Sequence, residues 1–315
     1  MKKMLKKKKD RWLFVVNTTA GRGKTGKKIY RLVTCLGDHG FKYDLEITKA
    51  PKHAIELTKN YIKEGYRKIV AVGGDGTLNE VVNGILESRK ANEIKLGLVP
   101  EGGGNDFSKN FRIPSEIEKA VKILENEYTT RVDVGKIEDF YFINALGMGF
   151  DAKVAEYADK IRYLNGLPRY FLALLQALLK LKPHKLFLKI NGELMDVSTL
   201  LVSVGNGLST GGGFLLTPKA KVNDGKLDIC LISDVKFFRL LRLLPTVLTG
   251  KHVDEPEVKI IHTDHLEIKS DKKLPIYYDG ELPELKNPFE FSIDLLPAKI
   301  NFICRKPEKE TSKNE

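Results

Sequence analysis

Cysteine is scarce in this sequence of 315 residues. Its only three cysteines, Cys35, Cys230 and Cys304, are widely separated along the chain. An odd number of distant cysteines provides neither a disulfide framework nor a four-cysteine zinc site. The pattern is typical of proteins in a reducing compartment, so we expect a cytoplasmic location.

Long apolar runs are also missing. The longest apolar segments, at 170–181 and 240–248, contain charged residues and are shorter than the roughly 20 residues of a membrane span. The apolar stretch at 12–16 is too short for the core of a signal peptide. We therefore expect neither a transmembrane segment nor secretion, and any membrane contact is expected to be peripheral.

The composition, 42% hydrophobic and 30% charged, is that of a globular protein, and the length predicts two domains. A net charge of +12 favours anionic partners such as nucleotides or an acidic leaflet. Basic residues in 2–9 and 162–185 could contact such a leaflet, although a solvated tail that keeps the protein soluble is the favoured explanation of the first run taken alone. Nucleic-acid binding is not expected, because no recognition motif accompanies the charge. Residues 1–10 and 305–315 are predicted to be flexible tails.

Strand and helix signals alternate in the first part of the chain. Four strand-like runs are separated by helix-like segments, in the order 12–16, 27–37, 43–48, 54–64, 68–72, 78–88 and 95–99. This alternation predicts a doubly wound α/β domain over 11–130. Polar loops rich in glycine follow three of the strands, at the sheet edge where ligands bind in such folds.

Beyond residue 130, short strand-like runs prevail, separated by turn signals such as Asn191-Gly192 and Asp224-Gly225. This pattern predicts a C-terminal β-sandwich domain over 131–298. The cleft between the two domains is the expected place of an active site.

The strongest local motif is the apolar strand 69–72 followed by Gly73-Gly74-Asp75-Gly76-Thr77 and a helix. Such glycines let backbone N–H groups approach an anion, and the helix start adds its positive dipole end, so a phosphate could bind there. A carboxylate beside phosphates is repulsive unless a metal lies between them, which makes Asp75 unusual. A tight turn with Asp75 as a helix cap is the alternative interpretation.

Two further motifs extend this pattern. The loop 101–106 repeats the glycine turn one strand later, and Asn105 and Asp106 there could cap the loop or orient a nucleotide or metal. Near the other end of the chain, Asp279-Gly280-Glu281 follows an apolar strand and could accept the proton of an attacking alcohol.

Together these motifs resemble the diacylglycerol kinase catalytic domain family, which includes sphingosine and ceramide kinases. The resemblance covers about residues 11–304 through six motifs: 17–21, 73–77, 102–107, 211–213, 218–228 and 279–281. It implies an N-terminal nucleotide-binding domain, a β-rich lipid-binding domain, and a strand at 299–304 that returns to the first domain. It also implies ATP with Mg²⁺ and transfer of a phosphoryl group to a lipid, most simply diacylglycerol, at the inner face of the membrane.

The resemblance also assigns residues. Glu281 is the expected proton acceptor, with Asp279 and Asp75 as further catalytic carboxylates. A structural Mg²⁺ is expected at Asp224 and the carbonyls of Lys221 and Lys226. The expected nucleotide contacts are Asn17, Thr18, Thr19, Ala20, Gly21, Thr48, Gly73, Gly74, Asp75, Gly76, Thr77, Leu78, Asn79, Glu80, Gly103, Asn105 and Asp106.

Two departures from the family pattern concern the nucleotide. Gly103 stands where the family has threonine, and the lost hydroxyl would weaken nucleotide affinity by about 1 kcal/mol. The nearby Glu101 adds a negative charge, which puts the family's usual choice of phosphoryl donor in doubt for this chain. Thr18 replaces a proline, a change that affects loop stiffness more than chemistry.

Other interpretations remain. NAD kinase and phosphofructokinase share the Gly-Gly-Asp-Gly-Thr logic and act on soluble acceptors, and a catalytically weak nucleotide- or lipid-binding regulator is a further alternative. His262-Thr263-Asp264-His265 could bind a metal but is better explained as a hairpin turn. A homodimer is compatible with the sequence, which does not identify the assembly or the acceptor lipid.

Overall fold

The computed structural model describes residues 8–161, 163–164, 166–178 and 182–307. Part of the basic runs considered above, including Lys2, Arg162 and Lys180, and the end of the C-terminal tail lie outside these residues. Lys8, from the segment expected to be a loose tail, forms an ion pair with Glu64.

The strands are numbered in chain order: β1 Trp12–Val16, β2 Tyr43–Ile47, β3 Lys68–Gly73, β4 Lys95–Pro100, β5 Thr129–Ile137, β6 Phe140–Phe142, β7 Ala145–Gly149, β8 His184–Ile190, β9 Glu193–Gly205, β10 Leu227–Ser233, β11 Val258–Thr263, β12 His265–Ser270, β13 Ile276–Tyr278 and β14 Glu290–Ile303. The α-helices are α1 Ala20–Asp38, α2 His53–Glu64, α3 Asp75–Glu87, α4 Asp106–Asn110, α5 Ile117–Glu125, α6 Phe150–Lys160, α7 Gly166–Leu178 and α8 Phe237–Thr249.

The N-terminal domain is an α/β domain with the parallel strand order β4-β3-β1-β2. Strand β1 is buried along its whole length, because apolar side chains on both faces are covered by helices. The connection from β1 to β2 runs toward one edge of the sheet, whereas those from β2 to β3 and from β3 to β4 run toward the other edge. Because such connections are right-handed, α1 lies on one face of the sheet and α2 and α3 lie on the other. The loops after β1, β3 and β4 therefore meet at one edge.

The C-terminal domain is a β-sandwich whose core lies between antiparallel strands, and α6, α7 and α8 pack on its outside over a second apolar core. Strand β14 joins the two domains. Its first half pairs with β12, and after a bulge Asn301 and Phe302 pair in parallel with Lys95 and Leu96 of β4. Phe302 is fully buried in the core of the first domain. This shared strand fixes the two domains side by side.

The segment His262-Thr263-Asp264-His265 connects β11 to β12 without forming the expected hairpin. Strand β11 pairs with β10, whereas β12 lies between β8 and β14. The hairpin prediction is wrong because the chain crosses from the sheet edge to its middle. The Nδ1 atoms of His262 and His265 have different partners, Asp228 at 2.8 Å and Asp294 at 2.7 Å, so the two imidazoles do not converge on one metal.

His265 is expected to make stability depend on pH. The hydrogen bond to Asp294 raises the pKa of His265 above its ordinary value, with help from Glu267, which also pairs with Lys189. A raised histidine pKa contributes stability below the unfolded value of about 6.5, and this is lost as pH rises through the folded pKa. In urea unfolding, His265→Gln should therefore lower stability more at about pH 5.5 than at about pH 8.5. An equal difference at both pH values would contradict this, and Asp294→Asn should weaken the dependence, leaving only the part that Glu267 supplies.

Candidate active site

The site begins where β3 ends and α3 starts. The backbone passes through Gly73 and Gly74, and α3 points its N-terminus toward the loop after β4. A Cβ atom at Gly102 would lie 2.3 Å from the Cα of Gly74, so the two backbones are in direct contact and only glycine fits. The free N–H groups at the start of α3 are the anion-binding feature that the motif predicts.

A groove of about 410 Å³ lies between these loops and is called the loop groove here. Asn17 holds its two sides together, since its side chain accepts hydrogen bonds from Thr19 and donates to Thr77 Oγ1 at 3.1 Å. Lys49, Ala50 and Pro51 also line it, and were not predicted. The predicted residues that line it are Asn17, Thr19, Ala20, Gly21, Thr48, Gly74, Gly76, Thr77, Glu80, Gly103 and Glu281.

Of the other predicted nucleotide contacts, Asp75 and Asp106 line a second cavity described below, and the rest do not line the groove. Gly73, Leu78 and Asn79 are buried, and the carbonyl of Thr18 accepts the N–H of Gly26. The Asn105 side chain binds the backbone of its own loop, with Oδ1 2.8 Å from the N–H of Gly102. These residues shape the groove rather than form its surface.

Glu80 has a structural task as well as a place in the groove. Its carboxylate accepts the N–H groups of Lys52 and Ala54 at 2.9 and 3.0 Å. These donors belong to the start of α2, so Glu80 acts as the cap that this helix lacks locally. The carboxylate thereby fixes the segment 49–51, which forms one side of the groove.

Asp75 and Asp106 form a close acidic pair. Asp75 accepts the N–H groups of Asp106 at 3.1 Å and Phe107 at 2.9 Å, so the alternative view of Asp75 as a cap holds, but for α4 rather than for its own helix. Burial, followed by the negative charge of Asp106, raises the pKa of Asp75 to about 7. Both carboxylates adjoin Gly104, where a Cβ atom would lie 3.1 Å from Asp106 and 3.4 Å from Asp75. Paired carboxylate oxygens are a donor set that suits a hard divalent cation.

Glu281 is placed by a tight turn. Tyr278 and Glu281 exchange backbone hydrogen bonds of 2.9 and 2.7 Å across Asp279 and Gly280, whose φ angles of 42° and 103° are both positive. An Asp-Gly pair is suited to this primed type of turn. The turn packs against the start of α3, and Glu281 Oε1 lies 3.6 Å from the position that a Cβ atom on Gly76 would occupy. The carboxylate therefore faces the loop groove beside the helix N-terminus.

Asp279 is buried and its carboxylate is fully engaged. It accepts the N–H groups of Ile143, Asn144 and Ala145 and the side-chain amide of Asn79, at 2.6 to 3.2 Å. Burial raises the pKa of Asp279 to about 6, against the effect of these hydrogen bonds, which lower it. Asn79, predicted as a nucleotide contact, connects α3 to this carboxylate. Asp279 thus anchors the turn that carries Glu281.

A second cavity of about 320 Å³, called the polar cleft here, adjoins the loop groove and shares Thr19, Gly21, Gly76 and Gly103 with it. Asp75, Asp106 and Asp279 line it together with Arg22 and Arg169. Arg22 donates to the carbonyls of Ile161 and Leu164, and Arg169 Nε donates to that of Ala158 at 2.6 Å. Sequence reasoning missed both arginines as site residues. The motif Gly21-Arg22-Gly23 was a usable signal for the first, whereas nothing local marked Arg169.

Glu101 does not charge the groove as expected. Its carboxylate is buried against α1, with its oxygens 2.7 and 3.0 Å from Lys28 Nζ. The predicted effect of Glu101 on the nucleotide is therefore wrong, because Lys28 neutralises the charge and the side chain points to the other face of its loop. The effect of Gly103, which lines both cavities, stays a prediction.

Lys28→Met is expected to lower the free energy of unfolding by about 2 kcal/mol, because it leaves the Glu101 charge buried without a partner. The value is below that of a fully buried pair, since the Lys28 side chain is 41% exposed. Urea unfolding measures it, and Lys27→Met on the exposed face is the matched control. Adding Glu101→Gln should recover most of the loss, and a Lys28→Met protein as stable as the parent would contradict the assignment.

The loop expected to bind a structural metal is an exposed turn before β10. Asp224 accepts the N–H of Lys226 at 3.1 Å, and Asp133 accepts those of Gly225 and Ala298 at 2.8 and 2.6 Å. The Asp224 carboxylate and the carbonyls of such a turn are oxygen donors, the ligand type that a hard cation prefers. In the part of the chain that the structure describes, no group of three or more His, Cys, Asp or Glu side chains could hold a metal.

A third cavity, called the apolar cavity here, lies between α6, α7, α8 and the sandwich. Its volume is about 60 Å³, and Tyr170 and Thr210 line both it and the polar cleft. The other residues that line the apolar cavity are Phe150, Val154, Leu174, Leu200, Leu201, Gly211, Phe214, Leu216, Ile232, Leu240, Leu243, Leu244 and Val247.

Over the residues described, no helix is both long and apolar enough to cross a membrane.

Known proteins share both halves of this arrangement. Residues 11–137 match the diacylglycerol kinase catalytic domain, and residues 144–304 match the YegS C-terminal NAD kinase beta sandwich-like domain. A diacylglycerol kinase of Mycobacterium tuberculosis is 31% identical over 299 residues, covering 92% of this chain and 93% of that protein. One from Staphylococcus aureus is 30% identical over 268 residues, covering 85% and 84%.

A solved structure shares the fold. The crystal structure of a diacylglycerol kinase from Bacillus anthracis superposes with a TM-score of 0.71 at 22% identity, over 94% of this chain and 97% of that one. The predicted fold, an N-terminal α/β domain with a C-terminal β-sandwich-like domain, is confirmed. Sequence and fold agree, and the chain belongs to the diacylglycerol kinase family of ATP-dependent kinases.

Proposed function

We propose that this kinase transfers the γ-phosphoryl group of ATP to the hydroxyl of a membrane lipid, diacylglycerol, to give phosphatidic acid. One observation supports a lipid acceptor above all: the loop groove, the polar cleft and the apolar cavity adjoin in a row, joined by shared residues. A nucleotide, a polar headgroup and an alkyl chain need such surfaces in that order. The relatives named diacylglycerol kinase support the same acceptor.

In the proposed mechanism ATP lies in the loop groove, with its phosphates at the N-terminus of α3 and along the backbone of 73–77. The acceptor hydroxyl enters from the polar cleft, and Glu281 takes its proton during attack on the γ-phosphorus. Arg22 and Arg169 place positive charge beside the phosphates. Asp279 holds Glu281 in position and does not exchange protons with the substrate.

Mg²⁺ is proposed at two places. Asp75 and Asp106 would hold one ion beside the phosphates, where it supplies neutralisation of the charge that develops on their oxygens. Asp224 and the carbonyls of Lys221 and Lys226 would hold another with a structural task. The proximity of the Asp75 and Asp106 carboxylates at Gly104 supports the first assignment, and the resemblance to the family supports the second.

The lipid tail is proposed to enter the apolar cavity. A volume of about 60 Å³ is far below the several hundred Å³ of a small-molecule site, so α7 and α8 must separate to admit an alkyl chain. These helices also present apolar side chains to solvent, among them Phe171 on α7 and Phe238 on α8, the latter 77% exposed. Lys236 and Arg242 are exposed near them. We place this surface on the anionic inner leaflet, as a peripheral contact.

A soluble acceptor is the second candidate, because the matched C-terminal domain is described as NAD kinase beta sandwich-like. The apolar cavity favours the lipid over it. The test uses γ-labelled ATP with diacylglycerol, ceramide, sphingosine and NAD in parallel. Label in phosphatidic acid supports the proposal, and label in NAD phosphate alone overturns it. Absence of transfer to every acceptor, with ATP bound, would instead favour the regulator hypothesis.

A further inference from the structure

Tyr170 lies on the boundary between the polar cleft and the apolar cavity. Its side chain lines both, as does Thr210 on the opposite segment. The Tyr170 oxygen accepts a hydrogen bond from Tyr277, which lines the polar cleft. One side chain therefore contributes an apolar ring to one compartment and a polar group to the other.

Gly211 and Arg169 are neighbours of the Tyr170 ring. Gly211 has a φ angle of +61°, and a Cβ atom there would lie 3.4 Å from Tyr170 Cδ1 and 3.2 Å from the Phe214 ring. The guanidinium of Arg169 lies over the ring, 5.9 Å from its centroid. Burial raises the pKa of Tyr170 to about 12, so the hydroxyl keeps its proton at neutral pH and can donate it in a hydrogen bond.

The segment opposite Tyr170 is tied to the active site. Asp106 accepts hydrogen bonds from Ser209 Oγ at 2.9 Å and from the N–H of Gly212 at 2.6 Å. These bonds flank Thr210 and Gly211, and Asp106 itself adjoins Asp75. The passage between the two compartments is consequently fixed relative to the residues that face the phosphates.

We propose that Tyr170 is a specificity-determining residue that recognises the carbonyl-bearing linkage between the headgroup and the alkyl chains of the acceptor. In an amphiphilic alcohol this linkage lies where polar and apolar parts meet, and that is the position of Tyr170 between the two cavities. The Tyr170 hydroxyl donates its proton to a carbonyl oxygen of the linkage, while the chains pass the ring. The inference rests on the proposed lipid kinase function.

The test compares two acceptors with the same hydroxyl and the same chain length: a diacylglycerol, which has ester carbonyls, and a dialkylglycerol, which has ether oxygens only. In mixed micelles, Tyr170→Phe should raise KM for the diester about tenfold, keep kcat within about twofold, and leave KM for ATP unchanged, since it removes one hydrogen bond to the ground state and the transition state alike. For the diether, kcat/KM should be the same in both proteins. The preference for the ester should therefore shrink about tenfold.

Tyr61→Phe is the matched control, because its hydroxyl bonds to Glu46 in the first domain, away from the cavities. Tyr61→Phe should leave kcat and KM unchanged for both acceptors. Equal losses for ester and ether in Tyr170→Phe, or no loss for either, would overturn the assignment while leaving the lipid kinase function intact. A parent enzyme that phosphorylates neither glycerolipid would instead refute the proposed function on which this inference rests.

Discussion

Glu281→Gln is expected to reduce kcat for lipid phosphorylation by about 10³-fold while ATP binds with nearly unchanged affinity. The amide has the shape of the carboxylate but does not accept the hydroxyl proton, so the loss falls on the chemical step. The side chain faces the loop groove beside Gly76, and its backbone is fixed by the turn with Tyr278. A variant at this position therefore should not alter the groove. Single-turnover kinetics with labelled ATP, together with ATP titration by calorimetry, measures both quantities.

Glu284→Gln is the control for this variant. It makes the same chemical change three residues later, at an exposed position, and should keep parental kcat. The proposed base would be refuted by a Glu281→Gln enzyme with parental turnover. A large loss of ATP affinity would instead assign Glu281 to nucleotide binding.

The elements of the first domain were largely predictable from local pattern. Strand β1 begins and ends at the predicted residues, because a short run of apolar side chains between polar loops fits a strand buried on both faces. The glycine loops were recognisable for the same local reason: the backbone of Gly74 and Gly102 must come into contact, and no other residue permits it. Elements and loops that depend only on residues close together in the chain were therefore predictable from the sequence.

Contacts between distant residues were not predictable in this way. Asn79 was assigned to the nucleotide, yet it bonds to Asp279, two hundred positions later, because α3 and the turn after β13 meet only in the folded protein. Glu101 received a role at the nucleotide, since sequence order shows that it adjoins the loop but not on which face it lies. Tyr170 drew attention only as part of an apolar segment. Its place between two cavities depends on how α7 packs on the sandwich.

Asp279→Asn is expected to lower both stability and activity, in contrast to Glu281→Gln. The Asp279 carboxylate accepts N–H groups from Ile143, Asn144, Ala145 and Asn79, and an asparagine would turn an NH₂ group toward some of these donors. Each buried donor left without an acceptor costs about 1–3 kcal/mol, so we expect a loss of about 4 kcal/mol in the free energy of unfolding. The released turn should also displace Glu281 and reduce kcat about 100-fold.

Denaturant unfolding and kcat measured on the same Asp279→Asn preparation separate the two possible roles of this carboxylate. If Asp279 positions Glu281, the two losses occur together, and conditions that stabilise the fold, such as sucrose, recover part of the activity. If Asp279 itself took part in the chemistry, as its prediction as a further catalytic carboxylate implies, kcat would fall at unchanged stability and sucrose would restore nothing. The geometry favours the first outcome, because every oxygen of Asp279 already accepts a backbone or amide hydrogen, whereas Glu281 is the carboxylate that lines the loop groove.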